Sequence, residues 1–164
     1  MKFSLYVYAI FVASISSNAY AEQWYSMKII NKSYDNINIS PVPGKCMHTW
    51  NVPYPSEDVK YGSESNFDIS DKNTIFACDD KEKSTYWKIV ATNGSVTHEF
   101  QIGFSHKGFS SPPGWYTRIE ESSPGSVRSA TCAAPDPAGA IRQQDCLNFY
   151  VPNVPEYGLI RIEI

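Results

Sequence analysis

At 164 residues the chain is long enough for one domain with a sizeable hydrophobic core. Its 14 Lys and Arg against 17 Asp and Glu give a net charge of −3, and the basic residues form no cluster. That balance excludes electrostatically driven nucleic-acid binding and gives no attraction to an anionic membrane surface.

Residues 1–21 read as a secretory signal peptide. Lys2 supplies a positive start, Phe3 to Ala13 an apolar run broken only by Ser4, and Ala19-Tyr20-Ala21 a small-x-small cleavage pattern. The run is shorter than the roughly 20 apolar residues that a membrane-spanning helix needs. No Cys stands at the cleavage site, so a lipoprotein is not expected. Cleavage after Ala21 gives a mature chain that starts at Glu22 and carries 13 basic and 17 acidic side chains. The short form ending in Ala-Tyr-Ala looks bacterial. Asn31, Asn38 and Asn93 open N-x-Ser sequons that matter only in a eukaryotic secretory route.

From Glu22 on, apolar residues alternate with polar ones at period 2, and helical periodicity is nearly absent. Trp24 to Ile30 places Tyr25, Met27 and Ile29 on one face. Asp35-Asn36 reads as a turn into Ile37 to Ser40, which predicts a hairpin that holds the N-terminus within a sheet. Asn66 to Ile69 and Thr74 to Cys78 are further strands. Asn93-Gly94 is a strong hairpin signal. Folding about it pairs Ala91 with Val96, Ile89 with His98 and Trp87 with Phe100 on a buried face, continued by Ile102 and Phe104. Lys88 then faces Glu99, and Tyr86 faces Gln101, on the other side. Trp115 to Glu120, Ser126 to Thr131, Leu147 to Val151 and Leu159 to Ile164 complete the expected strands. Pro41, Pro43, Pro53, Pro55, Pro112, Pro113, Pro124, Pro135 and Pro137 are placed between strands, where they cost no ladder hydrogen bond. Many short strands with turns between them predict a single all-β domain over 22–164, a β-sandwich or a compact barrel.

All four cysteines lie after Ala21, and an even number in an exported chain favours two disulfides. Of the three connectivities, Cys46–Cys78 with Cys132–Cys146 closes one loop in each half of the chain. The second loop, about 14 residues, is worth roughly 3 kcal/mol in the chain-entropy treatment. A metal site is the rival use of these thiols, but no C-x-x-C pair exists and no metal or other cofactor is expected.

Little in the sequence looks catalytic. His98 falls on the buried face of the predicted hairpin, where a hydrogen-bonded core role accounts for it. His48 and His106 fall in loops without a fixed carboxylate neighbour. No G-x-S-x-G elbow, H-E-x-x-H or phosphate-cradling glycine loop is present. Asp79-Asp80 reads as a turn. The aromatic supply is the unusual feature, with 11 Tyr, 8 Phe and 4 Trp. Trp50 and Tyr54 sit near His48 in the Pro-rich stretch from Pro41 to Pro55. Phe109 runs into Trp115 and Tyr116. Loops on a rigid sandwich carry binding residues, and Tyr and Trp join a large contact area to a polar tip. The five rings are therefore a candidate binding site. Capping the ends of the core would use them equally well.

Gln23-Trp24 through Ile30-Asn31-Lys32-Ser33, followed by Asn36-Ile37-Asn38-Ile39, resembles the opening of the aegerolysins, and Ile69 to Cys78 is similar to that family's middle. The likeness covers at most residues 23–120. It implies a small β-sandwich of actinoporin-like shape that binds membrane lipids, in some cases with a pore-forming partner. The family's Cys-Gly-Arg is Cys78-Asp79-Asp80 here, and its Trp-Asp-Cys-Pro segment is missing, so no functional residue is carried over. Together these features predict an exported, secreted or periplasmic, non-enzymatic protein. It would bind a surface lipid, glycan or protein through aromatic loops, as a toxin component does. The alternative is a periplasmic immunity or inhibitor protein that blocks a toxin or hydrolase.

Overall fold

The computed structural model describes residues 22–48, 56–73, 78 and 81–164. The predicted signal peptide, Trp50, Tyr54, and most of the strand expected at Thr74 to Cys78 lie outside the described residues. The described residues form twelve strands: β1 Trp24–Ile30, β2 Asn36–Lys45, β3 Met47–His48, β4 Glu57–Lys60, β5 Glu64–Asp71, β6 Lys83–Asn93, β7 Val96–Ser110, β8 Pro113–Glu121, β9 Ser129–Pro135, β10 Ile141–Asp145, β11 Val151–Pro152 and β12 Gly158–Glu163. They form two six-stranded sheets in the orders β10-β9-β12-β1-β5-β3 and β11-β8-β7-β6-β2-β4. The sheets face each other as a sandwich and do not close into a barrel. Between strands, β1 with β12 is the parallel pair, Tyr25 lying beside Gly158 and Ile29 beside Ile162.

Period-2 alternation builds the core. Tyr25, Met27 and Ile29 of β1, Phe67 and Ile69 of β5, and Ile160 and Ile162 of β12 are buried from one sheet. Ile37 and Ile39 of β2, with Trp87, Ile89, Ile102, Phe104 and Ile119, are buried from the other. Rings bridge the layers: Phe67 meets Trp87 at 5.5 Å between centroids and Tyr25 meets Phe104 at 4.9 Å. Each such side chain, taken fully out of water, contributes about 1.5–3 kcal/mol.

The opening hairpin does not form. β1 and β2 belong to different sheets, and residues 31–35 cross between them. Asn31, fully buried, organises the crossing. Its Nδ2 donates to the carbonyls of Tyr34 (2.8 Å) and Val59 (2.9 Å), and its Oδ1 accepts from the Tyr34 N–H (3.0 Å). Alternation alone states which face is apolar, and it is silent on which sheet a strand joins. The expectation that β1 lies within a sheet holds, because β12 and β5 flank it.

The β6–β7 hairpin forms with its register moved by two residues. Asn93 pairs with Val96, Ala91 with His98, Ile89 with Phe100 and Trp87 with Ile102. The turn is Gly94-Ser95, and Gly94 at φ 56 takes the positive-φ position that glycine enters without strain. The Asn93 side chain is engaged elsewhere. Its Oδ1 accepts the Asp35 N–H at 2.9 Å, while Asp35 Oδ2 accepts the Gly94 N–H at 2.7 Å. A shift of two keeps every face, so Trp87, Ile89 and Phe100 remain inside. Lys88 and Glu99 still pair, at 2.9 Å, but diagonally. His98 moves past the end of the core and is exposed, with its ring 6.0 Å from that of Tyr34, which corrects its predicted burial.

Several other boundaries change. Leu147 makes only an isolated bridge to Ile119 ahead of the short β11, and β9 starts at Ser129 and not at Ser126. Pro41, Pro43, Pro113 and Pro135 lie inside strands. β4 covers only Asn36–Ile39 of β2, so Pro41 and Pro43 sit where that strand has a bonded neighbour on one side alone. The register breaks between Val42 and Lys45, and Gly44 lies so close to β6 that a Cβ would stand 1.9 Å from the Ser84 carbonyl oxygen.

The disulfides join Cys46 to Cys78 and Cys132 to Cys146. Cys146 also ties the sheets together. Its N–H donates to Ala130 of the first sheet (3.0 Å), and its carbonyl accepts from Ile119 of the second (2.9 Å). Such bridges fit an oxidising compartment. Among the described residues no helix is long and apolar enough to cross a membrane.

Candidate functional site

Alternation along β7 and β8 divides the predicted aromatic set between two faces. Phe109 and Tyr116 point outward from the second sheet, and Trp115 points the other way. Phe109 meets Tyr116 edge-on at 5.1 Å and Tyr150 edge-on at 4.9 Å. The Arg118 guanidinium lies 4.3 Å over the Tyr150 ring, and the Lys107 ammonium 5.7 Å from the Phe109 ring. Tyr116 donates its hydroxyl to the Pro112 carbonyl at 3.2 Å. Arg118 is ion-paired with Glu120, yet its buried Nε has no hydrogen-bond partner among the described residues. Phe109 keeps 36% of its surface exposed and Phe149, next to Tyr150 in the chain, keeps 65%. The result is an outward patch of rings and cations.

The inward side holds an array of buried polar groups. Lys83 at the start of β6 and Asp71 at the end of β5 are both buried, with Nζ 4.0 Å from Oδ2. Lys83 also lies 3.9 Å from the centre of the Trp115 ring. His106 stacks on the other side chains of this end: its ring is 5.0 Å from Trp115, nearly parallel, and 5.4 Å from Tyr25. Its Nδ1 shares a 2.9 Å hydrogen bond with Thr117 Oγ1. Burial, reinforced by the nearby Lys83 charge, pushes the His106 pKa down to about 3, so the imidazole is neutral throughout the physiological range. Burial raises the Asp71 carboxyl, against the pull of the Gln23 N–H and of Lys83. Burial and the neighbouring Asp71 likewise raise the Tyr25 phenol, whose hydroxyl has no partner among the described residues.

An open cleft of about 470 Å³ adjoins this array, lined among others by Glu22, Gln23, His106, Trp115, Asn153 and Glu156. Gln23 fixes its edge by donating Nε2 to the Val154 carbonyl (2.6 Å) and its backbone N–H to Asp71 Oδ1 (2.8 Å). His48 Nε2 lies 2.6 Å from Glu22 Oε1, so this histidine does have a carboxylate neighbour, contrary to expectation. His106 is also corrected, because it is a buried strand residue and not a loop residue. The signal for it was present. Continuing the inward positions of β7 from Phe104 gives His106, and running those of β6 back from Trp87 gives Thr85 and then Lys83. Trp50 and Tyr54 lie outside the described residues, so the contacts seen relate Phe109 to Tyr116 and separate both from Trp115. Among the described residues no group of three or more His, Cys, Asp or Glu could hold a metal ion. Compared with protein-family models, curated proteins and solved structures, the chain matches none.

Proposed function

We propose that this chain is an exported, non-enzymatic binding protein that recognises a protein partner through the outward patch of Phe109, Tyr116, Tyr150 and Arg118. The observation that carries this reading is the clustering of three rings under two cations on a sheet face. Tyr, Phe and Arg are the residue types enriched where protein interfaces concentrate their binding energy. The rings meet edge-to-face, so they offer ridges and slots for a partner's side chains and no flat platform for a sugar or a lipid surface. The exposed Lys107 at the edge of the patch favours an acidic counterpart. The resemblance to aegerolysins suggests release toward a foreign surface as one setting. Retention in a bacterial periplasm, blocking a toxin or hydrolase, is the other, and the disulfides suit both.

The test compares the wild-type protein with Phe109→Ala and Arg118→Ala. Each is used as bait in periplasm and culture medium, and the partner captured by the wild type is then titrated calorimetrically against all three. A hot spot loses about 2 kcal/mol or more of binding while the melting temperature stays near the wild-type value. Equal affinity in all three proteins would refute the assignment.

A further inference from the structure

We propose that the cleft beside His106 and Trp115 binds a neutral, hydroxyl-rich ring, a saccharide of one or two units, independently of the outward patch. Its volume of about 470 Å³ lies in the range of small-molecule sites. A buried polar side chain opens into it. His106 is only 3% exposed, its Nδ1 is taken by Thr117, and Nε2 has no partner among the described residues. Whichever tautomer the ring holds, one hydrogen-bonding nitrogen remains for an occupant, held in place by stacking on Trp115.

The remaining lining selects the class of ligand. Asn153 offers a carboxamide, Gln23 retains its amide oxygen after its Nε2 bonds Val154, and Glu22 and Glu156 offer carboxylates. An apolar ligand would bury these groups without partners, which desolvates each of them uncompensated. An anionic ligand would meet two carboxylates at the rim. A Glu22 oxygen already lies 2.6 Å from His48 Nε2, and Asp71 behind it is paired with Lys83, so fewer carboxylate oxygens are left to coordinate a cation. Hydroxyl groups satisfy what is left, since each can donate to a carboxylate or amide oxygen and bond the imidazole, while Trp115 lines the same cleft with apolar ring surface.

The experiment follows the His106 ring nitrogens and the Trp115 indole N–H by nitrogen-15 NMR during titration of the protein with glucose, galactose, N-acetylglucosamine and N,N′-diacetylchitobiose. Choline serves as a cationic probe. At least one sugar is expected to shift both resonances saturably. Glu156→Gln should weaken that sugar at least about tenfold, the loss of one charge-assisted hydrogen bond. Asn153→Gly should do the same without backbone strain, because Asn153 sits at φ 55, which glycine adopts freely. Phe109→Ala, on the opposite face, should leave the titration unchanged. The absence of a saturable shift with all four sugars, or saturation by choline alone, would overturn the proposal. So would a sugar affinity that survives both cleft substitutions.

Discussion

Acidification is expected to unfold this protein through His106. In the unfolded chain the imidazole titrates near 6.5, and in the folded protein near 3, because burial and Lys83 both oppose its charge. A depressed folded-state pKa contributes stability that is complete above 6.5 and is lost as the pH falls toward 3. Each unit of separation corresponds to about 1.4 kcal/mol, so roughly 3 kcal/mol is gone by pH 4 and on the order of 5 kcal/mol once both forms are protonated. That is a large share of the 5–15 kcal/mol typical of a whole domain. Lowered pKa values at Asp58, Glu64, Glu121, Asp136 and Glu163 also favour the fold at neutral pH, whereas the raised Asp71 acts in the opposite direction. Comparison with His106→Gln separates the histidine contribution from all of these. Urea unfolding of both proteins at intervals from pH 7.5 to 4 is the assay. The wild type should lead at pH 7.5 by a constant margin that shrinks by about 3 kcal/mol before pH 4. Parallel stability curves for the two proteins would show that His106 is not buried as described.

Four further outcomes are expected. Trp87→Ala, which removes the ring packed on Phe67, should cost roughly 3–5 kcal/mol in chemical denaturation. Gly94→Val should cost only about 1–3 kcal/mol, because the site is open and the backbone φ alone resists the side chain; equal losses for these two variants would contradict the placement of the hairpin. Lys83→Met should destabilise by about 3–5 kcal/mol by leaving Asp71 buried without its cation, and adding Asp71→Asn should restore part of that; thermal melts of single and double variants decide it. Peptide mapping without reduction should link Cys132 to Cys146, and replacing both by Ser should lower stability by about 3 kcal/mol.

The strands are legible because alternation survives in a half-buried sheet: Trp87, Ile89, Ala91 and Phe100 are buried despite a two-residue error in register, while Val96 and His98, expected on the buried face, are exposed near the turn. Asn93 has the composition of a turn former, yet its amide holds Asp35 of a crossing 58 residues away in sequence, and the turn falls one residue later. Partnership between sheets, as at β1 and β2, depends on Asn31 satisfying carbonyls from two segments, and no local pattern encodes that. The candidate sites show both limits. Phe109 and Tyr116 could be grouped from their spacing, but Trp115 was included with them although it neighbours Tyr116 on a strand and so faces the other way. Lys83 and His106 continue inward stripes of β6 and β7 as charged or titratable residues, where alternation of apolar side chains gives no signal for them.

The parallel pairing of β1 with β12 sets the order in which the molecule can be completed. Without β12, the first sheet is two unconnected ribbons, β10-β9 and β1-β5-β3, since β12 alone bonds to both β9 and β1. The Ile164 N–H and carbonyl then close on Ile30 and Lys32. More than a hundred residues separate the partners, so loop closure must precede any gain from the pairing, and folding is expected to be slow. A chain still being synthesised has a second sheet it can begin and a first sheet it cannot finish. The first sheet therefore stays open until β12 arrives, and the Cys132–Cys146 bridge lies in a strand that gains its second neighbour only then.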